Sequence, residues 1–171
     1  MKYIVRKNNS GIAIYMAVVV TAALSLVALA IINLTIKQMS ISNTSRDSQA
    51  AFYAADSGVE CALFWDLKNT DVTNSGKSAF GTSSAAQNIT CNNQSKAISV
   101  VNLATATFSF TLPNNSCVTV GVFKTYLAGV PKTQIAAKGY NAGTVSGSSC
   151  TSSNARRVER AIYVSYWLFY P

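Results

Sequence analysis

The sequence predicts an α+β protein in which one long amino-terminal helix packs on a small antiparallel sheet of about four strands. Two observations predict this fold class. No proline occurs between Met1 and Leu112, and the residues after an opening apolar run keep helical spacing. Beyond Ile98 the apolar residues alternate with polar ones, as they do in strands that bury one face.

The helix is predicted to begin in a membrane. Residues 1–11 form a basic leader that ends in Gly11 and contains no acid. Residues 12–34 follow as 23 residues without a charge. At about 1.5 Å per residue, a helix of this length crosses a hydrocarbon core of about 30 Å. Because the basic residues precede the span, the positive-inside rule predicts a single pass with a cytoplasmic amino terminus.

Three interpretations of this segment are open. A cleaved secretory signal would end near Ala28-Leu29-Ala30, although the apolar run is longer than such signals need and continues past these residues. An uncleaved signal anchor fits the length. A leader that is cut between Gly11 and Ile12 fits best, because the polar stretch ends in glycine directly before the apolar run.

Residues 35–66 are predicted to continue the helix as an amphipathic half. Serine and asparagine between residues 40 and 48 make this stretch the weakest part of the helix. Apolar residues then recur at helical spacing and form one stripe that would cover the sheet. The stripe consists of Phe52, Ala55, Val59, Ala62 and Leu63.

Residues 67–171 are predicted to form the globular β domain, with polar loops at 67–97 and 141–156. Gly129 and Pro131 are predicted to mark a turn within it. Four strands are predicted. The first ends at Leu112, the second begins near Val118, the third covers Thr133–Tyr140 and the last begins near Val158. Ile98–Leu103 is a candidate fifth strand.

Four cysteines lie in the part of the chain that is predicted to be exported, where disulfide bonds persist. Four cysteines allow three pairings. In a meander the residues after Tyr140 lie beside the start of the preceding strand, which favours a bond between Cys117 and Cys150. Cys61 would then pair with Cys91. The alternative is buried free thiols.

No catalytic residue, cofactor or metal site is predicted, and the chain is not expected to be an enzyme. It contains no histidine, which is the usual general base and metal ligand. It contains only six acidic residues. Asp56 and Glu60 lie one helical turn apart and are interpreted as helix-surface charges rather than as an acid–base pair.

Nucleic acid is a weakly supported partner. The formal net charge of +8 includes three leader residues, and no stretch interleaves aromatic and basic residues as single-strand binders do. Arg156, Arg157 and Arg160 are candidate contacts to DNA or acidic lipid. They are interpreted first as local partners of Glu159 at the start of the last strand.

Together these features resemble a type IV pilin or pseudopilin. The resemblance depends on the leader that ends in Gly11, the apolar helix, and Ala51–Val59 (AFYAADSGV), which is similar to the AFYAAE-type sequence of many prepilin-like proteins. It extends in sequence to about residue 65 and beyond that in architecture only.

The resemblance implies processing and assembly. A prepilin peptidase would cut between Gly11 and Ile12 and methylate the new amino terminus at Ile12. The protein would first span the inner membrane. Its apolar helix would then bundle with identical or homologous pilin subunits into an extracellular filament. Met16 departs from the pattern, because most major pilins have glutamate as the fifth residue after the cut. This departure favours a minor or initiating subunit, or a divergent lineage.

The predicted function is therefore that of a structural subunit of a type IV pilus or related pseudopilus. The alternative is an uncleaved, signal-anchored surface protein with a small adhesin-like or receptor-like binding domain. An aromatic tail at Tyr166–Tyr170 suits either function. Trp167 and Phe169 on it are predicted to face away from the core, as an adhesive patch or as a subunit contact.

Overall fold

One helix and nine strands make up the part of the chain that a computed structural model describes, which is residues 10–67, 78–80, 88–102, 104–127 and 130–167. The chain divides into an amino-terminal unit, residues 1–44, and a globular unit, residues 45–171. Residues of the helix belong to both units. The elements are α1 Ser10–Leu67, β1 Asn88–Cys91, β2 Gln94–Ala97, β3 Ser99–Asn102, β4 Thr105–Thr111, β5 Cys117–Leu127, β6 Val130–Tyr140, β7 Thr144–Ser146, β8 Ser149–Thr151 and β9 Glu159–Trp167.

Helix α1 is continuous because nothing in its sequence ends it. It contains no proline, and its glycines are Gly11 and Gly58. The polar stretch from 40 to 48 also remains helical, and there the hydroxyl of Thr44 donates to the carbonyl of Ser40 at 2.9 Å. That bond satisfies the hydroxyl inside the helix, so this stretch needs no break in the backbone.

Five strands form the main sheet in the order β3-β4-β5-β6-β9, and each neighbouring pair is antiparallel. The predicted α+β class is confirmed, and the candidate fifth strand is real as β3. Alternation places one side of the sheet in the core, where Phe108, Phe110 and the valines of β5 are buried. Pro131 lies within β6 and pairs with Tyr126, so its assignment to a turn was wrong. Gly129 lies outside the described residues.

Both predicted loops contain hairpins. Strands β1 and β2 pair within the segment 67–97, and β7 and β8 pair within the segment 141–156. The signal that identifies the first hairpin is Asn92-Asn93, whose φ angles of 50° and 57° suit a two-residue turn of the kind that asparagine tolerates. Gly147, at φ 62°, provides the same freedom in the second hairpin.

Small residues of α1 pack against the sheet. Ala54, Ala55, Val59 and Ala62 are buried in one cluster with the strand residues. Phe52, which was predicted to belong to this stripe, is 49% exposed, so that assignment was wrong. Phe52 follows Ala51 by one position, which is about 100° around the helix, and therefore lies at the edge of the buried face. At the centre of that face the helix and the strands are so close that a side chain on Gly58 would meet Val118 and Val120 at 2.6 and 2.8 Å.

Replacing Gly139 with alanine is expected to destabilise this contact by about 1–3 kcal/mol. A methyl group there would overlap the Ala51 carbonyl oxygen and the Ala55 amide nitrogen, and would lie 3.0 Å from the Ala55 Cα. Urea unfolding of the full chain in a nonionic detergent measures the loss. Gly121→Ala is the matched control, because its methyl group would meet the ring of Phe123 on the opposite face of the sheet. Equal stability of the two variants would contradict the prediction.

Two disulfide bonds connect the periphery of the globular unit to the core, and they confirm that the cysteines are paired. Cys61 of α1 bonds to Cys91 of β1, and Cys117 of β5 bonds to Cys150 of β8. Each closes a loop of thirty or so residues, with sequence separations of 30 and 33. Loops of this length restrict the unfolded chain considerably.

Removing Cys117 and Cys150 together by alanine substitution is expected to cost about 2–4 kcal/mol of unfolding free energy. The β7–β8 hairpin should then lose protection against amide hydrogen exchange before the main sheet does. The Cys61→Ala, Cys91→Ala pair is the comparison, because it should release the β1–β2 hairpin instead. Uniform loss of protection in both variants would show that the hairpins are not held separately.

Candidate functional site: the apolar helix and its attachment

The amino-terminal unit presents an apolar surface on every side of α1. Each described side chain from Gly11 to Arg46 is exposed within the chain. Leu26 and Ile41 reach 70% exposure. By length and composition, α1 is the one helix among the described residues that could cross a membrane. The exposed large apolar side chains between 12 and 41 are Ile12, Ile14, Tyr15, Met16, Val18, Val19, Val20, Leu24, Leu26, Val27, Leu29, Ile31, Ile32, Leu34, Ile36, Met39 and Ile41.

Three hydroxyl side chains in this region bond to the helix itself. The hydroxyls of Thr21, Ser25 and Thr35 donate to the carbonyls of Val18, Thr21 and Ile31, at 3.0, 2.8 and 2.9 Å. Such bonds leave no hydroxyl hydrogen in need of water. These three residues are therefore compatible with an apolar environment.

The predicted processing residues lie at the start of this surface. Ser10 is the first helical residue, Gly11 has open space around it, and Ile12 is 64% exposed. Residues 1–9 of the leader lie outside the described residues. Met16 is 59% exposed, and the first turn of α1 contains no acid. The start of α1 therefore provides no carboxylate that could neutralise an amine at Ile12 of another subunit.

The other end of α1 is fixed by a buried carboxylate that sequence reasoning did not single out. The side chain of Asp66 has no exposed surface, and one of its oxygens lies 2.5 Å from the Lys124 ammonium group. Three hydroxyl groups also donate to it: Ser78, Thr133 at 3.1 Å and Tyr166 at 2.5 Å. One carboxylate thus joins the helix end to strands β5, β6 and β9.

The electrostatics of this network follow from burial and hydrogen bonding. Burial alone would raise the pKa of Asp66, but the hydrogen bonds from Lys124, Ser78 and Tyr166 together hold it below its ordinary value. Burial, together with the hydrogen bond to Asp66, raises the pKa of Tyr166, which therefore remains a donor. The network is an anionic carboxylate surrounded by donors, which is a structural arrangement and not an acid–base pair.

The arginines at the start of β9 do not form the predicted ion pairs with the Glu159 carboxylate, although Arg160 donates to the Glu159 backbone carbonyl at 3.4 Å. Glu159 pairs with Lys138 of β6, at 3.4 Å. Arg157 stacks on the ring of Tyr140 and donates to the Cys150 carbonyl at 3.0 Å, and Arg160 donates to the hydroxyl of Ser48 at 2.8 Å. The prediction considered neighbours along the chain, whereas the antiparallel register of β6 and β9 places Tyr140 opposite Glu159.

A long apolar helix that leads into an α+β unit with a small antiparallel sheet is consistent with a pilin-like fold. Residues 10–60 match a family model described as PilX N-terminal. The amino-terminal part of the chain is thus similar to type IV pilin-like proteins. No curated protein and no solved structure matches the chain.

Proposed function

We propose that the protein is a structural subunit of a type IV pilus or related pseudopilus and polymerises through α1. The observation that supports this most strongly is the helix surface from Ile12 to Leu34, which carries no charge and is exposed in the single chain. A surface of this size requires lipid or other apolar helices around it. The family match begins at residue 10, immediately before this surface.

Processing in this proposal follows the pilin-like pattern. The amino terminus lies in the cytoplasm, and a prepilin peptidase cuts the bond between Gly11 and Ile12. Ile12 becomes the methylated first residue, and the apolar helix stays on the mature protein. The helix then moves from the inner membrane into the centre of an extracellular filament, so the membrane span is a stage before assembly.

Met16 assigns the chain a minor or initiating position in this proposal. A filament of identical copies would bury one ammonium group per subunit without a carboxylate partner in the apolar segment, which is costly. Mixing with homologous subunits that have an acid near their amino termini would remove this cost. We therefore expect native filaments that contain this chain to contain a second pilin in excess over it.

Mass spectrometry of the amino-terminal peptide, from protein isolated from its native host, tests the proposal. A mature chain that begins at a methylated Ile12 supports it. A chain that still begins at Met1 would overturn it and favour a signal-anchored surface protein. Substituting Gly11 with valine should leave the leader attached, and the substitution itself causes no clash within the chain, because nothing lies within 4 Å of a side chain at Gly11.

A further inference from the structure

The outer face of the sheet, opposite α1, brings together cations and aromatic rings that are distant in the sequence. Strands β6 and β9 pair with Lys132 opposite Trp167 and Ala136 opposite Tyr163. Because side chains alternate, these four residues lie on the face that does not contact the core. Tyr163 is 76% exposed and Trp167 is 41% exposed. The β6–β9 track is defined here as Arg157, Lys138, Tyr163, Lys132 and Trp167.

Three cations and two exposed rings lie along this track, and a buried ring, that of Tyr140, supports one of the cations. At one end the Arg157 guanidinium lies 3.7 Å from the centroid of the Tyr140 ring. At the other end the Lys132 ammonium lies 5.3 Å from the centroid of the Trp167 ring. Lys138 and Tyr163 lie between them in the register. From residue 132 to residue 140 a strand extends about 26 Å at about 3.3 Å per residue, which is long enough for several nucleotides.

Basic residues outnumber acids on this part of the outer face. Lys132, Lys138 and Arg157 lie there with one acid, Glu159. Lys124 is neutralised by Asp66 in the core, and Glu159 pairs with the half-exposed Lys138. Exposed ion pairs of that kind contribute little, so a phosphate can compete for Lys138. Lys132 and Arg157 are the other two cations of the track, whereas Arg160 lies on the face covered by α1, where it donates to Ser48.

We infer that the β6–β9 track binds single-stranded nucleic acid. Exposed rings on an open sheet can stack unpaired bases, and cations between the rings can neutralise the phosphates that connect them. Bases in a duplex are already stacked and paired, so the aromatic rings favour a single strand. This inference goes beyond the proposed function. It requires a folded globular unit, and it does not depend on assembly of the protein into filaments.

The test measures binding of the full chain, in a nonionic detergent, to a fluorescently labelled single-stranded oligodeoxynucleotide of mixed sequence. Tyr163→Ala and Trp167→Ala are each expected to weaken binding by about fivefold or more, as the loss of one stacked base does. Tyr53→Ala is the matched control. Tyr53 is 63% exposed in the same unit but lies on α1 near Asp56, and its loss should leave binding unchanged.

The salt dependence provides a second readout. Three phosphate contacts, at Lys132, Lys138 and Arg157, predict a slope of about −2 for the logarithm of the binding constant against the logarithm of the salt concentration. Lys132→Gln should reduce the magnitude of that slope by about 0.7. Lys96→Gln, a substitution in the β1–β2 hairpin, should leave it unchanged.

Several results would overturn the inference. Equal binding by Tyr163→Ala and Tyr53→Ala would remove the aromatic rings from the site. A duplex or dextran sulfate that binds as tightly as the single strand would reduce the track to a general polyanion surface. If Tyr163→Ala instead changes the oligomeric state of the chain, the face is a contact between copies. If the wild-type chain binds the oligonucleotide as expected but does not assemble into filaments, the result counts against the proposed function and not against this inference.

Discussion

Replacing Asp66 with asparagine is expected to lower the free energy of unfolding of the globular unit by about 3–5 kcal/mol, because the substitution leaves the Lys124 ammonium group without its counter-charge in a buried site. The Lys124 side chain is 12% exposed, so water cannot replace the lost carboxylate. Tyr166 and Thr133 also lose a charged acceptor and keep a weaker one. Urea unfolding of the full chain, followed by tryptophan fluorescence, measures the change.

Two further variants separate this mechanism from general damage. Asp56→Asn removes an exposed carboxylate from the same helix and should change stability by no more than about 0.5 kcal/mol. Asp66→Asn combined with Lys124→Met removes both charges and should recover part of the loss, since the uncompensated ammonium group is gone. A double variant as unstable as the sum of the single variants would show that the ion pair is not the source of the effect.

The same carboxylate predicts how stability depends on pH. The pKa of Asp66 in the folded protein lies below its ordinary value of 3.8, so the folded state holds its proton less tightly than the unfolded chain. The contribution of Asp66 is therefore complete above about pH 4 and is lost as the pH falls through the lowered pKa. The wild-type protein should lose stability in this acidic range more steeply than Asp66→Asn does. Parallel pH profiles would contradict this assignment.

Replacing Val20 with aspartate is expected to abolish filament assembly while the globular unit remains folded. Val20 is 55% exposed in the middle of the apolar helix surface. A carboxylate near the centre of an apolar helix costs about 2.5–3.5 kcal/mol, and a bundle repeats that cost in every subunit. Electron microscopy of sheared filaments, with detection of the chain in them, measures the result.

The matched control is Val20→Leu, which keeps the surface apolar and should assemble normally. Membrane fractionation of Val20→Asp shows whether the chain still inserts, and the mobility of the non-reduced protein shows whether both disulfides form. Filaments of normal number that incorporate Val20→Asp would contradict polymerisation through α1. Filaments that form normally without the variant chain would indicate a role outside the polymer.

The comparison of prediction and structure is clearest along α1. The sequence alone determined that a long helix forms, because an uncharged apolar run and an absence of proline act locally at every turn. It did not determine which face the helix buries. Phe52 is more apolar than Ala51, yet the alanine is buried and the phenylalanine is exposed. Helical spacing allows several neighbouring stripes, and the position of the sheet, which is a property of the packed unit, selects the stripe that contains Ala51 and Ala55.

The sheet shows the same division. The alternation of apolar and polar residues in β4, β5 and β9 predicted these strands and their buried faces. It could do so because successive side chains of a strand lie on opposite faces of the sheet. The sequence predicts a loop where the four-residue strands β1 and β2 lie, since hairpins rich in serine and asparagine have little apolar alternation. Their stability comes from partners elsewhere, such as the Cys61–Cys91 bond and the hydrogen bond from Trp65 to the Thr90 carbonyl.

By itself, the sequence determined the long apolar helix that could cross a membrane, the α+β class and the similarity of the amino-terminal part to type IV pilins, all of which depend on neighbouring residues. The tertiary structure alone decided that Asp66 is the charge that holds the helix end, and that Lys132 and Trp167 meet across two strands. Such contacts join residues 35 to 100 positions apart. Chain spacing cannot specify them, because strand register and packing bring these groups together only after folding.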